Sequence, residues 1–288
     1  MSRRSPAWIV CRSVGILLLS GLGGAALVRL APGFGMEESA LDPRLAASSR
    51  EAIAQRHAGE RNPLAFYIRF LGGVAHGDLG QSTVFGQPVG RLIRERVATT
   101  IGEVGWGLTA GWCAAILLAL GVAASRSALA IFPAFAFSGS LLSMPSAVVA
   151  MLCLLVGLAP AVAIAAVVFP RVFPHAYEQL KAGLAAPHVL MARAGGISGT
   201  RLLLFYVGPS VAMPLLALAG VSVTLAFGAS IPIEALADEP GIGQLAWRAA
   251  LGRDVPVLVA VTLLLTAVTV VSNAVADMAM RHAQERPQ

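Results

Sequence analysis

Residues able to carry chemistry are sparse in this sequence and form no catalytic set. Glu103 is the one carboxylate placed inside an apolar run long enough to cross a membrane. An acid in that position serves either as a pathway group or as a partnered polar contact. It lies about one turn from the end of its run, so headgroups and outer-loop backbone are also within its reach. His175 and Glu178 share a helical turn, but two such residues do not make a metal site, and they read as interfacial polarity. Cys11, Cys113 and Cys153 show neither metal spacing nor a disulfide framework and read as small buried hydrophobes. No Walker-type phosphate loop, HExxH or GxSxG pattern occurs. The chain is expected to be no enzyme and to hold no metal or cofactor of its own. Two stretches remain. In "EPGIGQLAWRAALGRDVPVL", Gly241 and Gly243 form a turn and Asp254 stands ready to cap a following helix. In "VLMARAGGISGTRLLLFYVGP", Val189 to Pro209, basic residues and paired glycines interrupt two apolar blocks.

The elements that must position these residues are set by composition. The chain has 288 residues, 57% hydrophobic and only 12% charged, against about a quarter charged in a soluble domain. A soluble fold of this length cannot hide so much apolar surface, so lipid is the solvent for much of it. The net charge of +6 does not point to nucleic acid, because the arginines are scattered between apolar blocks and form no stripe. Positive charge beside apolar spans is instead the signature of topology selection.

A crossing helix needs about 20 mostly apolar residues. On that measure we expect an all-α, polytopic membrane protein with about six transmembrane helices: Val14 to Leu30, Thr100 to Ala124, Leu129 to Leu155, Leu158 to Phe173, Val207 to Ala229 and Val255 to Ala276. The fourth is short and broken by Pro160 and Pro170; Pro209 and Pro214 should bend the fifth. The first follows Arg3, Arg4 and Arg12 but lacks a small-residue cleavage site, and reads as an uncleaved span. With both ends cytoplasmic, the inner segments carry Arg3, Arg4, Arg12, Arg126, Arg171, Lys181, Arg193, Arg201, Arg281 and Arg286. The short outer loop near the C-terminus carries only Arg248 and Arg253. In the long first outer loop, Pro63 can open a helix with Leu64, Tyr67, Ile68 and Leu71 as its apolar stripe. Small residues in "SGLGG" and "GEVGWGLTAG" permit close helix approach.

The basic segment falls on the inner side, between the fourth and fifth spans. "AGLAAPHVLMARA" suits a short amphipathic helix, with Pro187 in its first turn and Gly195 and Gly196 ending it. A new helix follows, capped by Ser198 or Thr200. Such a helix, corner and helix either docks a partner or merely connects two spans.

Five stretches in order now carry a resemblance. Ala192, Arg193, Ala194, Gly195, Gly196, Ile197 and Ser198 look like the cytoplasmic coupling core of the inner-membrane permeases of binding-protein-dependent ABC importers, more narrowly the dipeptide/oligopeptide/nickel branch. "RLAPG" (Arg29 to Gly33), "GDLGQS" (Gly77 to Ser82), "PVGRLIRERVATTIGEV" (Pro88 to Val104) and the stretch from Glu239 to Leu258 resemble the same branch. Gly195 stands where that core usually has lysine, His188 and Val189 where it often has tyrosine and valine, and Pro170 departs from a smoother fourth span.

The resemblance implies a type I ABC importer permease fold. It divides the chain into an N-terminal segment with the first helix (1–30), an external loop region (31–98) and a permease core (99–288) with a coupling segment at 177–206. It implies a second permease subunit, homo- or heterodimeric, two cytoplasmic ATPase subunits that hold ATP and Mg, and an extracytoplasmic solute-binding protein, all at the bacterial inner membrane. In that scheme Ala185, Ala186, Leu190, Met191, Ala192, Arg193, Ala194, Gly195, Gly196 and Ser198 couple to the ATPase. Gly241, Gly243 and Asp254 meet the binding protein or help gate the outer side. A transporter driven by an ion gradient would want buried ionisable groups or broken paired repeats, of which the apolar blocks offer little beyond Glu103. A non-transporting scaffold subunit could keep the same motifs.

Overall fold

The computed structural model describes residues 6–30, 63–125 and 127–284. The readings that fall on Arg3, Arg4, Arg126, Arg286 and residues 31–62 lie outside them. The described residues are essentially all helical: α1 (Pro6–Leu30), α2 (Pro63–Ala75), α3 (Val89–Ser125), α4 (Ala128–Ser143), α5 (Ser146–Leu155), α6 (Pro160–Leu184), α7 (Pro187–Ala194), α8 (Gly199–Leu202), α9 (Gly208–Ala237), α10 (Ile242–Leu251) and α11 (Val255–Gln284). Among the described residues, four helices are long and apolar enough to cross a membrane: α3, α6, the run from Gly199 to Ala237, and α11. The pair α4 and α5 passes that test together as a fifth, and α1 contributes a shorter apolar stretch, Cys11–Leu27. This is a multi-span, all-α membrane fold; of the six crossings expected, four or five meet the length and composition for a span, and the first stretch is shorter.

Chain contacts divide the molecule into two compact units, residues 1–97 with 245–267 and residues 98–244 with 268–288. In the first unit α2 packs on α1. The Tyr67 hydroxyl donates to the Leu18 carbonyl at 2.8 Å, and Gly21 leaves room for the Tyr67 ring and for Leu263, whose Cδ2 would lie 2.8 Å from an added Cβ. Of the expected α2 stripe, Tyr67 is buried but Ile68 is exposed, and Phe70 takes its place inside.

The second unit holds the main core, in which Ile164, Val168, Val172, Phe173, Val207, Val211, Ala226 and Ile233 are buried. Gly107 and Gly111, one helical turn apart on α3, meet α6. A Cβ on Gly107 would sit 2.6 Å from Ile164 Cβ and 2.7 Å from the Ala161 carbonyl, and one on Gly111 3.0 Å from the Ala165 carbonyl. The small residues of "GEVGWGLTAG" thus do what small residues do between membrane helices, letting backbones touch. Phe135 of α4 packs edge-on against Phe173 and Tyr177 of α6, each at 5.2 Å between centroids, a geometry favoured by the ring quadrupoles.

Proline-based expectations are corrected here. The fourth span does not end at Phe173; α6 runs to Leu184 with Pro170 and Pro174 inside it. Within a membrane bundle, neighbouring groups satisfy the carbonyls that proline frees; the Ser138 hydroxyl donates to the Pro170 carbonyl at 3.2 Å. Arg171, read as an inner-loop residue, therefore lies within a helix, and the segment from Tyr177 to Leu184 belongs to α6 rather than to a free loop. The fifth span likewise extends past Ala229 to Ala237 with Pro232 inside. The third span is not straight: α4 and α5 meet at 105°, where Pro145 holds the break between Ser143 and Ser146. Cys11 and Cys113 are exposed, not buried.

Candidate coupling segment and loop anchors

The segment from Ala185 to Ser198 takes the expected local form, a short helix ended at a glycine corner. Ala185 closes α6, Ala186 is extended (ψ 139°), and Pro187 opens α7. Pro187 suits that place because its fixed φ matches a helix and its missing N–H would have no partner there. Gly195 follows Ala194, its N–H bonding the Met191 carbonyl at 3.0 Å. The Gly196 N–H bonds the Arg193 carbonyl at 3.1 Å, and the Ile197 N–H the Ala192 carbonyl at 3.0 Å. Gly196 has φ +86°, a conformation that disfavours any Cβ. Gly195 does not (φ −77°), and a Cβ there would meet nothing nearer than the Ala192 carbonyl at 3.4 Å. Ser198 sits ahead of α8, but its side chain makes no capping bond, so the capping expectation fails; the short α8 passes directly into a π turn, Leu203–Val207. The Gly208 N–H closes that turn on the Leu203 carbonyl. The wider turn comes one residue ahead of Pro209, which has no N–H to continue an α ladder.

α7 is held from one side and open on the other. Val189 is fully buried, and Ala192 and Ile197 pack on the core. The His188 imidazole Nε2 pairs with the Tyr206 carbonyl at 3.1 Å. Leu190 and Met191 are 50% and 75% exposed, while Ala185, Ala194, Gly195, Gly196 and Ser198 are exposed and Ala186 and Arg193 half-buried. Apolar side chains on a pinned, solvent-facing helix are what an interface uses. His188 stands out in the sequence as a departure from the resembling core, but its partner Tyr206, eighteen residues away, has no periodic signal to link it.

Gly241, Gly243 and Asp254, expected on the outer side, are anchors of two separate loops. In the second unit α9 ends at Asp238 in a left-handed conformation (φ 55°). The buried Glu234 carboxylate then accepts the Gly243 N–H at 2.7 Å, and Thr100 Oγ1 accepts the Ile242 N–H at 2.8 Å. Together they satisfy the first donors of α10, as acceptors at a helix N-terminus should. A Cβ on Gly241 would run into the Glu234 carboxylate and lie 2.7 Å from Thr100 Oγ1; one on Gly243 would lie 2.6 Å from Ile231 Cα. Both glycines are dictated by close approach. Glu234 lies beyond Ala229, the expected end of the fifth span, because that helix continues through Pro232 to Ala237; the usable signal is an acid on the helix ahead of a Pro-Gly-x-Gly corner. Glu103, the acid that was read, keeps a buried Oε2 with no hydrogen-bond partner among the described residues.

In the first unit Asp254 is fully buried. Its Oδ1 takes the Val257 N–H at 3.3 Å, the expected cap of α11. Its Oδ2 does more, accepting the Ser82 hydroxyl and the Val84 N–H at 3.1 Å, and so ties "GDLGQS" to the corner ahead of α11. Gly252 fits beneath Val84, whose Cγ1 would be 3.3 Å from an added Cβ. Among the described residues no group of three His, Cys, Asp or Glu side chains is placed to hold a metal ion.

The long apolar helices define a multi-span membrane protein. The sequence profile of the family described as "binding-protein-dependent transport system inner membrane component" matches residues 111–287, and the chain belongs to that family. Among its relatives are the oligopeptide transport system permease protein AppB of Bacillus subtilis (strain 168), 24% identical over 94% of this chain and 96% of that protein. Two proteins named as peptide permeases also match, from Brucella ovis (26% identical, covering 92% and 93%) and Brucella suis biovar 1 (27%, covering 92% and 93%). The chain is thus the membrane permease subunit of an ABC importer, which relies on a separate ATPase.

Proposed function

We propose that this chain forms half of a translocation path for peptides or a related small solute, taking part in a complex with a second permease, two cytoplasmic ATPases and an external solute-binding protein. In this reading the chain crosses the bacterial inner membrane six times with both ends inside, and the inner segment from Ala185 to Ser198 rests in a groove on the ATPase. Closure of the ATP-bound pair pushes α7, and hydrolysis resets it. The observation that carries the reading is the mechanical state of α7: buried Val189 and the His188 to Tyr206 bond fix it to the core, while Leu190 and Met191 face outward. A pinned helix transmits displacement where a loose loop would absorb it. Gly241, Gly243 and Asp254 serve as loop anchors that keep the outer surface in shape for the loaded binding protein. No cofactor is assigned to this chain; ATP and Mg belong to the ATPases. The peptide assignment rests on what the relatives are named for.

The test is reconstitution in proteoliposomes with the candidate partners. ATP-dependent uptake of a labelled peptide delivered by the binding protein is expected. Uptake that persists without any ATPase, or assembly with no uptake of peptide or other solute, would defeat the reading.

A further inference from the structure

A cavity of about 430 Å³ opens where α4 breaks into α5, bounded by Met144, Pro145 and Ser146 at the break, Val167 and Arg171 of α6, and Thr224 and Gly228 of α9. Its volume falls in the range of small-molecule sites, about 300–1,000 Å³. Its walls are apolar apart from three side chains, and all three are hydrogen-bond donors: the Arg171 guanidinium and the hydroxyls of Ser146 and Thr224. The Thr224 hydroxyl reaches the Gly220 carbonyl only at 3.5 Å. Among the described residues Arg171 makes no ion pair and Ser146 no side-chain hydrogen bond.

The depth of Arg171 follows from helix register. Gly107 meets Ala161 and Ile164, and Gly111 meets Ala165 and Val168, so α3 and α6 run side by side in the same direction. Continuing that register sets Arg171 at the level of Ala115, roughly ten residues or 15 Å short of the inner end of α3 at 1.5 Å per residue. A permanent cation at that depth, inside an apolar helix and unpaired, belongs to a water-filled path or a ligand site. The break adds to this: α5 begins at Ser146 with no side chain capping its first donors, and broken helices are how membrane transporters offer backbone donors to anions.

We infer that Arg171, with the Ser146 and Thr224 hydroxyls, forms a carboxylate-binding station in the translocation path that receives the C-terminal carboxylate of a peptide in transit. Donors surround the cavity, acidic side chains are absent from its lining, and a guanidinium is the side chain that matches a carboxylate in two parallel bonds. The inference rests on the peptide reading above and adds to it a substrate group and the residues that read it.

The experiment uses the full reconstituted complex and two labelled probes of one sequence, a tripeptide with a free C-terminus and its C-terminal amide. For R171Q, uptake of the free acid is expected to fall about ten- to a hundredfold, the worth of one charge-assisted pair, with uptake of the amide unchanged; R171K keeps the charge but not the two-bond fork, so its free-acid uptake should fall between that of R171Q and the wild type. Equal loss of both probes, the result if the cavity holds a lipid phosphate or an acidic side chain of the second permease, overturns the inference, as does no loss of either. Where the binding protein refuses the amide, R171C decides, against the wild type treated alike to account for its native thiols. A cationic thiosulfonate should restore free-acid uptake and an anionic one should not; equal response to the two overturns the inference. If the wild-type complex imports another solute under ATP but no peptide, it is the function reading that has failed, and the station fails with it.

Discussion

Two adjacent glycines at the inner corner obey different rules. Gly196 holds φ +86°, where a β-branched side chain costs about 1–3 kcal/mol. Gly195 sits in ordinary backbone, where a Cβ would meet only the Ala192 and Met191 carbonyls at ordinary contact distance. G196V is therefore expected to lower thermal stability in detergent by that amount. G195K, which restores the residue usual in the resembling family, should leave the melting temperature unchanged while altering ATPase affinity in a pull-down. Equal destabilisation by both changes would refute the assignment of backbone roles. The same contrast holds outside. E234Q keeps an acceptor for the Gly243 N–H and should be tolerated, whereas E234L leaves that buried donor unpaired and should cost about 1–3 kcal/mol, again read from thermal melts. At this scale the sequence was legible where a residue type implies its own geometry. Glycine at a helix end and Asp254 at a helix start could be named in advance. Partners brought together across the fold, Ser82 with Asp254 and Thr100 with Ile242, leave no trace in local spacing.

At the scale of elements, α7 and the tie between two loops carry the testable content. Replacing Leu190 and Met191 together by glutamate changes only exposed side chains, so insertion and melting should stay close to wild type while co-purification of the ATPase drops by at least about tenfold, as expected when a charge is buried without a partner in an interface. For the loop tie, S82A and D254A should each destabilise the first unit. The double variant should lose less than their sum by about 0.5–3 kcal/mol, the mark of a direct interaction; strict additivity would mean that the hydrogen bond contributes nothing. Element existence was readable from apolar length, and α7 from Pro187 and the glycine pair. Element ends were not, because proline is carried inside a helix in lipid at positions where it would end one in water. Pro170, Pro174 and Pro232 all lie inside helices here, where a bundle in lipid satisfies the groups they free. The break between α4 and α5 escaped notice for a related reason: an unbroken apolar run looks the same whether the helix beneath it is straight or folded at Pro145.

On the coupling reading, the physical problem at the scale of the whole molecule is to carry a push from α7 into the spans. The route is continuous within the second unit. α7 seats Val189 in the core, α6 leaves that corner past Gly183, where Val211, Val207 and Ser210 press close, and the aromatic contacts of Phe173 and Tyr177 join α6 to α4. A packed route of this kind moves as a body, since close-packed interiors transmit strain rather than absorb it. Ala192 is the narrow point: it packs on the core from within α7, and its carbonyl receives the Ile197 N–H that closes the corner. A192W should wedge α7 away from its seat without touching the long apolar helices. The expected outcome is normal insertion and assembly, ATP hydrolysis by the complex that continues, and uptake reduced about tenfold or more per ATP consumed. Measuring uptake and hydrolysis on the same vesicles gives that ratio directly. An unchanged ratio would mean that the push travels by some route other than the seat of α7. A parallel loss of both activities would mean that Ala192 serves ATPase docking and not transmission.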